Sequence, residues 1–310
     1  MILIGLTLLL ILSGLSSEAA ADSQLQEKID SLFIIASSGE VIHRDQNKPA
    51  MDSIATYGRS AVPLLIDKFV TKSARERWTI IWTLERIGSD AVPDLISALD
   101  RIDGLVVQRV CWALGSIGDS SSVEPLMGVA SHPRWQVRSQ ALTALGKIGD
   151  TASESVLLTA LEDSIGQVRK SAVVATGRIG SINGVEHLVR KLDDPFYGAR
   201  LMAIESLLLL DTQTVMASVA GNIGSGSSEM SVALACQLLG RIGTDEAIRL
   251  LVSLLESEND SKKTSAALAL VEADPDDNCG YRKLYLNDET DRLARLKIES
   301  ALSAMSNGLR

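Results

Sequence analysis

The sequence is poor in cysteine and histidine, with three of each in 310 residues. An odd cysteine count without a C-x-x-C pair excludes a disulfide framework and a zinc ribbon. So few histidines leave little for metal or acid–base chemistry, and neither a metal site nor a cofactor is expected. Aromatic residues make up only 4% of the chain, so its core must be aliphatic and rich in alanine. Positive charge is also short: 30 basic against 39 acidic side chains give a net charge of −9. That balance argues against general nucleic-acid binding, which needs a basic footprint. Seven prolines and 23 glycines exclude collagen-like or low-complexity sequence. The hydrophobic fraction of 46% supplies a sizeable core and is too high for a disordered chain. Composition thus describes a soluble, helical protein that is not an enzyme.

A single long apolar run occurs, from Ile2 to Leu15, broken by Gly5, Thr7, Ser13 and Gly14. Its length, about 14 residues, is short for a membrane span. It is followed by Ala19-Ala20-Ala21, an A-x-A ending. The segment 1–21 therefore reads as a secretory signal cleaved near Ala21, although no Lys or Arg precedes the apolar run. An uncleaved N-terminal anchor is the alternative. The remaining 22–310 contains no other stretch suited to a bilayer, so an exported, periplasmic or extracellular, protein is expected.

Beyond the leader the chain repeats itself about every 31 residues. Ile87-Gly88, Ile117-Gly118, Ile148-Gly149, Ile179-Gly180 and Ile242-Gly243 recur, with Tyr57-Gly58 before them. Leu210-Asp211, Val271 and Met305 take the anchor position in weaker copies. Ahead of each anchor runs a helical face, such as Val137, Ala141, Ala144, Leu145 and Ile148, or Val168, Ala172, Ala175, Thr176 and Ile179. The glycine after the anchor is a C-cap, where the chain must turn left-handed. A polar turn and a shorter amphipathic helix follow, with Pro63 and Pro93 in its first turn, where a missing N–H costs nothing. Each repeat is a helical hairpin that cannot bury its apolar face alone, so neighbours must stack. The predicted fold is all-α, a right-handed α-solenoid of about nine stacked helical hairpins over 22–310. Its degenerate copies fall at 22–58, 211–243 and 272–310. Gly224-Ser225-Gly226-Ser227-Ser228 is the loosest stretch and a candidate local hinge.

The segment Ala141-Leu142-Thr143-Ala144-Leu145-Gly146-Lys147-Ile148-Gly149-Asp150, preceded by Val137-Arg138, resembles the HEAT-like repeat first named from phycobilisome lyases. Val168-Arg169 before Ile179-Gly180, and Asp193-Asp194-Pro195 before Arg200, match it as well. The resemblance covers about 45–310 and is weakest at 211–230 and after 272. It implies the solenoid fold and is nearly silent on function, because such repeats serve unrelated roles. Deoxyhypusine hydroxylases share the architecture, and that likeness implies iron held by His-Glu pairs. Here His43 precedes Arg44, His132 precedes Pro133 and His187 precedes Leu188, so the ligands are missing. The bilin lyases act inside the cell, and nothing here marks a bilin site.

Arg77, Arg138, Arg169, Arg200 and Arg295 all lie ten residues before their anchors, and Asp163 and Asp194 lie six before Arg169 and Arg200. An Asp at the turn between helices can accept bonds from turn amides and from an Arg of the same or next repeat. The pattern reads as a structural ladder that sets the register of the stack; an anion-binding arginine row is the other reading. Cys111 and Cys236 occupy one repeat position, apolar in the other copies, and should be buried. Cys279 lies in a polar turn and could be exposed. Asp274-Pro275-Asp276-Asp277-Asn278 matches a calcium loop poorly, since Cys279 stands where the loop needs Gly.

One stripe on the longer helices does not belong to the core. Residues nine, five and one before the anchor share a face, since i and i+4 are neighbours. The stripe reads Trp78, Trp82, Arg86, then Gln108, Trp112, Ser116, then Ser139, Thr143, Lys147, then Lys170, Val174, Arg178. In stacks of this type these helices line the concave side. Trp beside Arg or Lys is the composition of interface hot spots. Trp78, Trp82, Arg86, Trp112, Lys147 and Arg178 are therefore candidates for holding a protein or peptide partner. Packing of the rings between adjacent repeats is the competing reading. The expected function is an exported, monomeric scaffold or adaptor. An enzyme or accessory subunit of the lyase type, acting on a protein-bound cofactor, is the alternative. No nucleophile elbow, phosphate loop or H-E-x-x-H supports that alternative.

Overall fold

A computed structural model describes residues 21–224 and 227–273. No strand occurs among the described residues. The chain divides after Ile148 into two compact units, each built of helical hairpins. The first holds α1 (21–37), α2 (Asn47–Ala55), α3 (Val62–Asp67), α4 (Ala74–Ile87), α5 (Val92–Ser97), α6 (Gly104–Ile117), α7 (Val123–Val129) and α8 (Trp135–Ile148). The second holds α9 (Glu154–Ala160), α10 (Gly166–Arg178), α11 (Gly184–Arg190), α12 (Tyr197–Leu207), α13 (Thr212–Gly224), α14 (Glu229–Ile242), α15 (Asp245–Leu254) and α16 (Asp260–Ala273). Odd-numbered helices open each hairpin and even-numbered ones close it. Most of the leader, part of the Gly224–Ser228 turn, the acid-rich turn at 274–278, Cys279, Arg295, Met305 and nearly all of the last degenerate copy lie outside the described residues.

Local chemistry sets the helix ends. Ser73 accepts the Glu76 amide at 3.3 Å to start α4, and the Asp103 carboxylate accepts the Leu105 amide at 2.8 Å to start α6. Helix α6 ends where Gly118 turns left-handed (φ 78°, ψ 17°) and donates its N–H to the Leu114 carbonyl at 3.0 Å. A positive φ recurs at Gly58, Gly88, Gly149, Gly180 and Gly243, the cap positions expected from the repeat. Pro63 and Pro93 sit in the first turns of α3 and α5, where no intrahelical donor is lost.

In the first unit α2, α4, α6 and α8 pack side by side as one layer, with α3, α5 and α7 against them. In the second, α10 packs on α12, α14 on α16, and α11 on α13. The core between layers is aliphatic, as composition requires: Ile80, Ile81, Leu84, Val110, Leu114, Val137, Leu142 and Leu145 are all buried. Cys111 and Cys236 are buried among them, and burial pushes each thiol up to about 12. Both are packing groups without thiolate reactivity.

Three of the even-numbered helices approach the next one closely at a second glycine, two residues before the anchor. A Cβ on Gly115 would lie 2.6 Å from Ala144 Cα, and one on Gly177 would lie 2.5 Å from Ser206 Cβ. On Gly240 it would meet the Ala269 carbonyl oxygen at 2.8 Å. Sequence reading gave these glycines no role. Gly177→Ala is expected to lower stability by about 1–3 kcal/mol, because the helices must be forced apart. Gly221→Ala in α13 meets nothing within 4 Å and is expected to raise stability by about 0.5–1 kcal/mol through helix propensity. Urea denaturation of the two variants measures both, and equal effects would remove the close-packing argument.

Candidate partner-binding site

The tryptophans of α4 and α6 form one cluster on the first unit. Trp78 and Trp82, one turn apart on α4, have ring centroids 5.6 Å apart. Trp112 of α6 meets Trp78 edge to face, at 4.6 Å and 86°. Such pairs contribute about 0.5–1.5 kcal/mol each beyond their buried area. The rings nevertheless stay wet: Trp78 is 46% and Trp82 44% exposed, and Trp112 is half-buried. Contact between repeats and access from solvent therefore coexist. None of the three indole N–H groups has an acceptor among the described residues. Trp135 opens α8 and is 38% exposed, outside the ring cluster.

The cations of the stripe divide into two kinds. Arg86 is not free: its Nε donates to the Asp52 carboxylate of α2, and its Nη1 donates to the Trp82 carbonyl at 3.1 Å. In the second unit Arg241 likewise pairs with Glu205 of α12, which holds that carboxyl below its usual range. Lys147 and Arg178, the first on α8 and the second on α10 of the other unit, are exposed and have no carboxylate partner among the described residues. Sequence reading grouped Arg86, Lys147 and Arg178 together as groove cations. The paired acids, Asp52 and Glu205, stand four residues earlier on the preceding repeat, a signal visible in the sequence only once the stacking register is known.

The turn residues make a ladder along another edge. Asp194 is 1% exposed in its side chain and accepts Arg169 Nε and Nη2, both at 2.7 Å, a two-point grip. Its Oδ1 also accepts the Phe196 amide at 2.8 Å. Arg169 spends Nη1 on the Asp163 carbonyl of its own turn, at 2.8 Å, and Arg200 Nη1 takes the Asp194 carbonyl at 2.7 Å. Each arginine thus holds its own turn. The Asp194 carboxylate takes its guanidinium from the repeat before it, and its Oδ1 accepts from Arg169 Nη2 and the Phe196 amide together. Asp163 caps its own turn through Ile165 N at 2.8 Å. In the first unit, Arg138 holds the His132 carbonyl at 3.0 Å and Arg77 the Lys72 carbonyl at 2.8 Å.

Elsewhere, α11 and α13 leave a shallow groove of about 810 Å³ over Ala217, Ser218 and Gly221. No group of three or more His, Cys, Asp or Glu suited to a metal occurs among the described residues, and no described helix is long and apolar enough to cross a membrane.

Stacked hairpins with repeated caps, turn-holding arginines and a half-exposed aromatic cluster define a helical repeat protein. The family model for HEAT repeats matches residues 62–131, 92–177 and 123–208. Over that span the chain is built of HEAT-like repeats. No curated protein matches it. Human deoxyhypusine hydroxylase in complex with glycerol is similar at 20% identity, over 80% of this chain and 96% of that one, with a TM-score of 0.36. The complex of CpcE and CpcF of phycocyanin lyase from Nostoc sp. PCC7120 is similar at 20% identity, over 77% and 94%, with a TM-score of 0.41. The E. coli protein YibA is similar at 16% identity, over 76% and 92%, with a TM-score of 0.48.

Asp194 gives a pH signature. Burial alone would raise its pKa, but Arg169, the Phe196 amide and Lys191 together outweigh burial and hold the carboxyl below its usual range. A depressed folded-state pKa contributes stability above the unfolded value of about 3.9, lost as pH falls through the folded value. Asp194→Ala is expected to cost about 3 kcal/mol at pH 7, since it strands Arg169. The gap between variant and parent in denaturant unfolding should narrow as pH falls from about 4 toward 3. A gap that stays constant with pH would show that the carboxylate charge is not what stabilises the rung.

Proposed function

We propose that the chain is an exported adaptor that binds a protein or peptide partner along the face of its even-numbered helices and performs no catalysis of its own. The Trp78–Trp82–Trp112 cluster carries this reading. Three large rings held together yet half-exposed form an apolar patch of the kind that marks interaction sites. Tryptophan combines a large rigid surface with a donor at its edge, which suits a partially wet interface. Export is supported by the apolar run from Ile2 to Leu15 and the small residues that end at Ala21. The acidic balance of the chain favours a protein partner over nucleic acid. The absence of catalysis is supported by the sequence, which offers no nucleophile–base pair or ligand motif. The adaptor acts as a monomer whose partner lies in the concave groove.

The double substitution Trp82→Ala, Trp112→Ala tests the reading. Crosslinking and pull-down from the native envelope are expected to recover a partner with the parent protein and at least tenfold less with the variant. The melting temperature should shift by no more than a few degrees, on the order of 1–2 kcal/mol of lost ring contacts. A large drop in melting temperature, or unchanged capture, overturns the assignment. A metal or chromophore in the purified protein, read by absorbance and metal analysis, would overturn the non-catalytic part.

A further inference from the structure

The stacking register identifies what surrounds the tryptophans. Asp52 of α2 meets Arg86 of α4, Trp78 of α4 meets Trp112 of α6, and Glu205 of α12 meets Arg241 of α14. In all three cases a stripe residue stands beside the one a helical turn further from the anchor on the preceding repeat. The same register places Lys48 of α2 beside Trp82, and Lys147 of α8 beside Trp112. At Lys147 the preceding repeat offers Trp112 where Arg86 and Arg241 find carboxylates. Lys48 and Lys147 are both exposed and lack a carboxylate partner among the described residues. The nearest stripe acid, Asp52, is occupied by Arg86. The cluster therefore presents two ammonium groups and three indole N–H donors around an apolar floor, with the polar side chains of Gln108 and Ser116 beside Trp112 and one exposed acid, Glu85, next to Trp82 on α4.

We infer that this site takes an extended acidic peptide segment, with carboxylates toward Lys48 and Lys147, apolar side chains on the rings and backbone carbonyls toward the indole donors. The inference rests on the partner-binding reading above and adds the chemistry of the partner. Charge complementarity selects the occupant: the Arg86–Asp52 pair is neutral, and two lysines against the single acid Glu85 leave the patch locally positive in a chain of net charge −9, which favours a partner that supplies carboxylates. Length follows from the helix layer. From α2 to α8 there are three inter-helix steps of roughly 8–10 Å, a span that about eight or nine extended residues cover. A nucleic acid would also offer anions and stacking bases, but two lysines in an acidic chain make a poor phosphate track.

The test uses the purified full chain and three fluorescein-labelled ten-residue peptides of sequence X-X-Gly-Leu-Pro-Leu-Pro-Gly-X-X, with X as Glu, Gln or Lys. Fluorescence anisotropy is expected to show the Glu peptide binding at least tenfold tighter than the Gln peptide, with the Lys peptide weakest and salt reducing the difference. The paired substitution Lys48→Glu, Lys147→Glu changes only exposed side chains and should reverse the order, so that the Lys peptide binds best. Equal binding of all three, or reversed preference in the parent, overturns the acidic assignment while leaving a groove that binds peptides. No binding of any peptide, alongside tryptophan-dependent capture of the native partner, overturns this inference alone. If capture is also independent of the tryptophans, both readings fall. Tighter binding of a ten-nucleotide oligo-dT than of the Glu peptide overturns it in favour of nucleic acid.

Discussion

The spacing between neighbouring even-numbered helices governs much of what is distinctive in this chain. Where Gly115 faces Ala144 and Gly177 faces Ser206, there is no room for a Cβ. There the backbones of α6 and α8, and of α10 and α12, lie against one another. At other seams side chains make the contact instead: Arg86 of α4 reaches Asp52 of α2, Arg241 of α14 reaches Glu205 of α12, and Trp112 of α6 turns its edge to Trp78 of α4. The aromatic cluster lies at the α4–α6 seam, where long side chains rather than close backbones bridge the two helices.

Two sets of ion pairs accompany this packing, and they differ in weight. The pairs on the stripe are exposed, and such pairs contribute about 0–1 kcal/mol. The Arg169–Asp194 rung is nearly sealed from water and also holds the turn amide of Phe196. Breaking a buried pair of this kind costs about 3–5 kcal/mol, largely because the remaining charge is stranded. Stability therefore resides in the aliphatic core and the turn edge. The stripe contributes little to it, since Trp78 and Trp82 stand half-exposed above that core.

The paired arginines and the free lysines show how one repeat position serves two purposes. Where the preceding repeat supplies an acid, the cation closes a seam. Where it supplies Trp112, the lysine has no internal counter-charge and becomes part of the surface offered outward. The repeat thus carries a structural pattern, and individual copies depart from it in what they leave exposed.

The hairpins, their period and their stops were legible in the sequence. The isoleucine–glycine anchors correspond to helix ends with positive φ at Gly88, Gly118 and Gly149, and the apolar face of Val137, Ala141, Ala144 and Leu145 is buried. A glycine is needed wherever an L-residue would be strained, and helical periodicity follows from 3.6 residues per turn, so both are local properties that a linear pattern records. The sequence also placed Trp78, Trp82 and Trp112 on one stripe, because i and i+4 share a face whatever the tertiary setting. Which residue of one repeat stands beside which residue of the next was decided by the tertiary structure alone. That registration depends on the distance and offset between helix axes, set by side-chain volumes from several distant segments at once. No periodicity within a single helix encodes it, and so the engagement of Arg86, the contact between Trp78 and Trp112, and the isolation of Lys147 became visible only in three dimensions.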